Sequence, residues 1–215
     1  ENTPVIVLAA KDGGKEAVAV LLKAGAKADA RDREGRTALY HALRRKVSPD
    51  VVRMLLEQGA SAKEFPALAV MDWRMENIPV ALLLLEHGAS ASVVTEEGDT
   101  LVHWAVRAKS PELLRAAIKA KAPVTGANRD GETPLQAAVR TGDAAMVAAL
   151  LGAGAPVNGS GMRPGAKYAD HAGNLYAGED DLLAQAVREG NEAVIKTLVA
   201  AGVNLNAREN RYDRH

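Results

Sequence analysis

The chain has 215 residues, and its 27 Lys and Arg balance 27 Asp and Glu, so it has none of the excess positive charge needed to hold phosphate backbones or anionic lipid surfaces. It has no cysteine, which excludes disulfides, thiol catalysis, iron–sulfur clusters and thiolate zinc sites, and leaves cytosol and periplasm both open. Hydrophobic residues make up 47% but aromatics only 3%, so the core must be built from many small aliphatic side chains, as closely packed short helices allow.

Taken in chain order, the elements repeat. NTPVIVLAA from Asn2 leads to LLKAGA ending at Ala26, and DREGRTALYHAL from Asp32 leads to LLEQGA at Ala60. FPALAVMDWRMENIPVALLLLEHGA closes at Ala89, EEGDTLVHWAV from Glu96 leads to AIKAKA at Ala122, and LLGAGA and LVAAGV follow at Ala155 and Val203. Measured at Gly25, Gly59, Gly88, Lys121, Gly154 and Gly202, the spacings are 34, 29, 33, 33 and 48 residues.

The fullest unit is NRDGETPLQAAVRTGDAAMVAALLGAGAPVN, Asn128 to Asn158. Thr133 followed by Pro134 starts a helix, because the Thr oxygen accepts an orphan backbone N–H and Pro suits the first turn. Leu135, Ala138 and Val139 share one stripe, Gly142 stops the helix, and Met146, Val147, Leu150 and Leu151 form the stripe of a second helix that ends at Gly154. Neither helix buries its apolar side alone, so each antiparallel pair must stack on the next, with an Asp or Asn, a charged residue and Gly forming the projecting turn between pairs.

Period and phrase together resemble the ankyrin repeat family. The resemblance implies an all-α ankyrin-repeat solenoid of about six helix pairs with short β-turn fingers and one long inserted loop. It is expected as a single domain over 1–215, with repeats near 2–31, 32–64, 65–94, 95–127, 128–158 and 181–208.

Three departures stand out. Only seven residues separate Gly59 from Pro66, where twelve is the rule, so the finger between the second and third repeats is truncated. The third pair lacks the Thr-Pro start and carries Pro79 at the opening of its second helix. Residues 159–180, rich in Gly and polar side chains with Tyr168, His171 and Tyr176 interspersed, read as an extended loop before the last repeat. No apolar run reaches the roughly 18 to 20 residues that span a bilayer, so the chain reads as soluble without membrane insertion. The opening ENTPVIVLAA lacks a basic n-region and starts almost inside a helix pattern, which leaves open the loss of a leader or a preceding repeat.

Little here points to catalysis. His41, His87, His103, His171 and His215 are scattered without partners at metal spacing, and His103, three residues after Thr100, reads as a structural hydrogen-bonding residue, with His41 and His87 as bystanders. Asp170 with His171, and Glu179 to Asp181, read either as a divalent-cation cluster or as charge capping the following helix, and the second reading is preferred. The segment GSGMRPG lacks the Gly-Lys-Ser/Thr ending of a phosphate cradle. Catalytic residues, metal and cofactor are all expected to be absent. Trp73 and Trp104 read as plugs in irregular packing, with exposed anchors as the alternative, whereas Tyr168 and Tyr176 have no apolar stripe to bury them in the free chain.

In ankyrin proteins the fingers and the exposed side of the first helices form a concave face that binds partners. Carried onto this chain, that face comprises Arg33, Glu34, Arg36, Arg44 and Arg45 on the second repeat. It takes Glu96, Glu97, Asp99, Arg107 and Lys109 on the fourth, and Arg129, Asp130, Glu132, Arg140 and Thr141 on the fifth, with Tyr168, His171 and Tyr176 added from the loop. The second finger is mainly basic and the fourth mainly acidic, a local polarity hidden by the zero net charge. The function implied is a monomeric module that binds another protein, either as an inhibitor or self-protection protein of an enzyme or as a scaffold fragment of a larger chain. An enzyme using the acidic loop is the third reading.

Overall fold

The computed structural model describes residues 3–12, 14–44, 48–70, 77–157 and 182–205. Arg45, Trp73, Asp170 and Glu179 to Asp181, together with the 159–180 insertion and its Tyr168, His171 and Tyr176, lie outside the described residues. Two compact units divide the chain, one up to Ala91 and one from Ser92.

In the first unit α1 (Val5–Asp12) and α2 (Lys15–Lys23) form one helix pair, and α3 (Ala38–Arg44) and α4 (Pro49–Glu57) form the next. The first helices pack on each other, α1 on α3, and so do the second helices, α2 on α4. The third pair is different. A single 3-10 turn, Ala67–Val70, stands where a first helix would begin, and α5 (Ile78–Glu86) follows with Pro79 in its first turn. The missing Thr-Pro start is the local cause, since nothing at Phe65–Pro66 offers the hydroxyl that Thr37, Thr100 and Thr133 supply at the starts of other first helices. Where the finger is shortened, the unit is braced instead by the Ala67 N–H donating to the Ser90 carbonyl (3.0 Å) and the Ser61 N–H donating to Asp29 (2.9 Å).

The second unit holds α6 (Leu101–Arg107) with α7 (Pro111–Lys119), α8 (Pro134–Thr141) with α9 (Ala144–Gly152), and α10 (Leu182–Arg188) with α11 (Glu192–Ala200). First helices again pack on first helices and second on second. The starts are those the sequence implies. Thr100 and Thr133 each cap a first helix in a reciprocal capping box, with His103 and Gln136 returning the bond. Ser110, Asp143 and Asn191 cap the second helices.

Each interface is small and aliphatic. Leu55 and Leu84 in the first unit, and Leu101, Leu113, Leu135, Leu150 and Leu198 in the second, are fully buried. At about 1.5–3 kcal/mol per buried Leu, this burial offsets the entropy of ordering such short helices, none of which would persist alone in water.

Candidate functional site

The fingers share one backbone turn built on three different side chains. The backbone N–H of Asp32 donates to the Arg36 carbonyl (2.9 Å), that of Thr95 to Asp99 (2.9 Å) and that of Asn128 to Glu132 (3.0 Å). In each turn the side-chain oxygen of the first residue also accepts from inside the loop. Asp32 Oδ1 takes the N–H of Glu34 and Arg36 (3.0 and 2.8 Å), Asn128 Oδ1 takes those of Asp130 and Glu132 (both 3.0 Å), and Thr95 Oγ1 takes that of Asp99 (3.1 Å). Gly35, Gly98 and Gly131 occupy the left-handed position at φ 77°, 80° and 77°. With the turns closed by these bonds, the fingers present Arg33, Glu34, Glu96, Glu97, Arg129 and Asp130 as exposed side chains at their tips.

Four residues after each turn opens, the chain places a charged residue beside the first helix, and eight residues further on an arginine. In the fourth repeat these are Asp99 and Arg107. The Asp99 carboxylate accepts from both guanidinium Nη atoms and, through Oδ1, from Asn128 Nδ2 of the next finger (2.9 Å). In the fifth they are Glu132 and Arg140, joined through one carboxylate oxygen at 2.8 and 3.0 Å. Both arginines are therefore neutralised within the chain.

The second repeat breaks this rule. The acid position holds Arg36, whose Nε donates to Asp32 Oδ2 (3.0 Å) and whose Nη2 reaches Glu34 (2.5 Å). Arg44 then finds no carboxylate among the described residues. It donates to Tyr40 Oη (2.9 Å) and stands over the Tyr40 ring, 5.6 Å from its centroid, while Arg36 lies 5.9 Å from the same ring. His41 meets Tyr40 edge-on, and its Nε2 is 3.0 Å from Asp32 Oδ2. Because a carboxylate can only accept, His41 Nε2 carries the proton. Burial alone would raise the Asp32 carboxyl, but the His41 N–H, the Arg36 N–H and the Arg36 guanidinium outweigh it and hold that group well below the usual carboxylate range. Lys11 of α1 completes the lining of an open groove of about 370 Å³ with Arg36, Tyr40, His41 and Arg44.

His103 has the structural role its position implies. It is fully buried, its Nδ1 accepts from the Thr100 N–H (3.0 Å), and its Nε2 lies 3.0 Å from the Glu132 carbonyl, which only accepts. It is thus the neutral Nε2–H tautomer and links consecutive repeats. Burial, outweighing its hydrogen bond to Glu132, pushes its pKa below the ordinary histidine value.

Not every expected contact residue is free to bind. Glu34, Arg36, Asp99, Arg107, Glu132 and Arg140 are committed to internal pairs, and the Thr141 hydroxyl donates to the Ala138 carbonyl (2.8 Å). Lys109 is exposed and lies just beyond the end of α6, in the left-handed region at φ 49°. The main-chain N–H of Arg129 ties its finger to Glu97 (2.7 Å), leaving the side chain outward. His41, read like His103 as a structural bystander, is bound to Asp32 in the groove wall. Lys11 and Tyr40 were missed. The available signal was a Tyr at the position that holds His103 and Gln136 in the later repeats, followed four residues on by an Arg whose acid partner had been replaced. Trp104 is half-buried, with its indole N–H enclosed and without an acceptor among the described residues. Among the described residues no three His, Asp or Glu side chains group as a metal site, and no helix is long and apolar enough to cross a membrane.

The family model for ankyrin repeats (three copies) matches residues 1–65 and 68–160. This chain belongs to the ankyrin-repeat family. Ankyrin repeats are protein–protein interaction modules, typically without catalytic function of their own. Among solved structures, an ankyrin repeat domain from Acinetobacter baumannii AYE is similar at 25% identity and TM-score 0.58, covering 93% of this chain and 98% of that one. The ankyrin repeat domain of human ASB11 is similar at 22% identity and TM-score 0.57, over 95% of this chain and 86% of that one. That of Bcl-3, a member of the IkappaB protein family, is similar at 24% identity and TM-score 0.57, over 97% and 90%. No curated protein matches the chain in sequence.

Proposed function

We propose that this ankyrin-repeat chain binds a partner protein through its finger tips and the adjoining exposed side of its first helices, and that it acts as an inhibitor or self-protection protein of an enzyme. The observation that carries the reading is the division of labour within each finger. The turns are closed by their own bonds and the base residues are paired internally, while Arg33, Glu96, Glu97, Arg129 and Asp130 stand outward on a turn whose conformation is already fixed. A turn fixed in advance loses little backbone entropy on docking and presents its charges in a set pattern, which favours selective association. Inhibition needs no chemistry from the inhibitor, only occlusion of a cleft.

The test is affinity capture from the source cells with the intact chain, with an Arg33→Glu/Arg129→Glu variant and with a Glu96→Lys/Glu97→Lys variant, read by mass spectrometry. The expected result is one protein retained by the intact chain and lost from at least one variant, followed by loss of that protein's activity when the intact chain is added. Capture of no protein, or of the same set by all three chains, would remove finger-based binding. Undiminished activity of a captured enzyme would remove inhibition.

A further inference from the structure

We propose that the groove lined by Lys11, Arg36, Tyr40, His41 and Arg44 is a recognition site for acidic side chains of a partner protein, seating a Glu or Asp carboxylate beside Arg44 against the Tyr40 ring. The proposal rests on the protein-binding reading above and names the chemistry one part of that surface selects.

Three observations carry it. The first is the exchange of roles at one position. The site that holds Asp99 or Glu132 in the later repeats, and there neutralises the arginine eight residues on, holds Arg36 here, so Arg44 meets no carboxylate among the described residues. An incoming carboxylate supplies what the other two repeats carry internally. The second is pre-organisation. Arg44 is held from two directions, by its bond to Tyr40 Oη at 2.9 Å and by the ring face beneath it, so its remaining N–H donors point from a fixed plane and little side-chain freedom is lost on binding. Tyr40 is itself fixed by edge contact with His41 and a tilted contact with Phe65. The third is what the groove disfavours. The Asp32 and Glu34 carboxylates occupy one side of Arg36 and repel a multiply charged phosphate more than a single carboxylate, while the ring and the aliphatic stems of three long cations offer the apolar surface that a peptide side chain covers.

The experiment uses the whole chain and a fluorescein-labelled hexaglutamate peptide, read by anisotropy, with hexaglutamine as the uncharged control and inorganic phosphate as competitor. Saturable binding of hexaglutamate and none of hexaglutamine is expected. Arg44→Gln should weaken binding about tenfold, the usual consequence of losing a charge-assisted hydrogen bond. Arg53→Gln, which removes the same charge from the exposed face of α4, should leave it unchanged. Circular dichroism melts establish that each variant is folded, and Tyr40→Phe, which keeps the ring but frees Arg44, should fall between the two. Equal weakening by Arg44→Gln and Arg53→Gln, absence of saturable binding, or displacement by phosphate at a lower concentration than free glutamate would each overturn the groove as a carboxylate site. A captured partner that is lost with the finger-tip variants but retained by Arg44→Gln would likewise remove the groove and leave protein binding standing. Capture of nothing by the intact chain removes the broader reading as well.

Discussion

The finger base of the second repeat and those of the fourth and fifth share a turn, a left-handed glycine and an arginine on the first helix, yet differ in where the charge goes. With Asp99 or Glu132 at the fourth position the arginine is satisfied within the chain and becomes a strut. With Arg36 there, the second arginine is turned toward an aromatic ring and outward. One side chain of opposite sign thus separates a structural base from a receptive one, because the surrounding backbone is already fixed by its own hydrogen bonds.

The comparison breaks hardest at His103, whose position in the second repeat is held by Tyr40. His103→Ala removes the acceptor for the Thr100 N–H and the donor to the Glu132 carbonyl and leaves a cavity in a fully buried site. A loss of about 3 kcal/mol is expected in urea melts monitored on the second unit. His103→Gln, which rebuilds the capping box that Gln136 makes in the next repeat, should recover part of it. The same residue gives a pH signature. Its folded pKa lies below 6.5, so as pH falls below 6.5 the unfolded chain takes up a proton that the folded one resists, and stability decreases until the folded pKa is passed. A stability profile whose slope below pH 6.5 is unchanged in the Gln variant would show that His103 is not its source.

Next in size is the pair Gly98→Ala and Gly35→Ala. Both positions are left-handed, so each substitution costs about 1–2 kcal/mol. A Cβ at Gly98 would in addition meet Asn128 Cα at 3.1 Å, whereas one at Gly35 meets nothing within 4 Å. Thermal melts should therefore rank Gly98→Ala as the more damaging, and equal losses would deny the close approach of consecutive fingers. Asp99→Ala should cost a similar amount, since it strips an acceptor from both Arg107 and Asn128, whereas Glu132→Ala removes only a more exposed pair and should cost less than about 1 kcal/mol.

Much of this was legible in the sequence. Outside the third repeat, the period, the Thr starts and the glycines at helix ends gave helix pairs and fingers in their observed places, because those signals act over three or four residues. Lys121, at the position held by Gly25 or Gly154 in other repeats, does take the left-handed conformation that its place implies, at φ 60°. Which finger charges were available was not legible. That depends on partners eight residues away, such as Arg107 with Asp99, or a whole repeat away, such as Asn128 with Asp99, and a list of exposed-looking charges cannot separate struts from contacts. The partner of His41 was hidden for the same reason, since Asp32 lies nine residues back across the finger. The smallest expected effect follows from the strained position. Lys121→Gly should raise stability by about 1 kcal/mol by relieving the left-handed lysine, and a decrease would mean that the lysine side chain makes a compensating contact.

The most direct test of the contrast between finger bases is an NMR titration of the intact chain with hexaglutamate, following the arginine Nε–Hε signals. Shifts at Arg44 and Arg36 that saturate together, with Arg107 and Arg140 unmoved, are the expected result. Shifts spread evenly over all four arginines, or confined to Arg107 and Arg140, would contradict it.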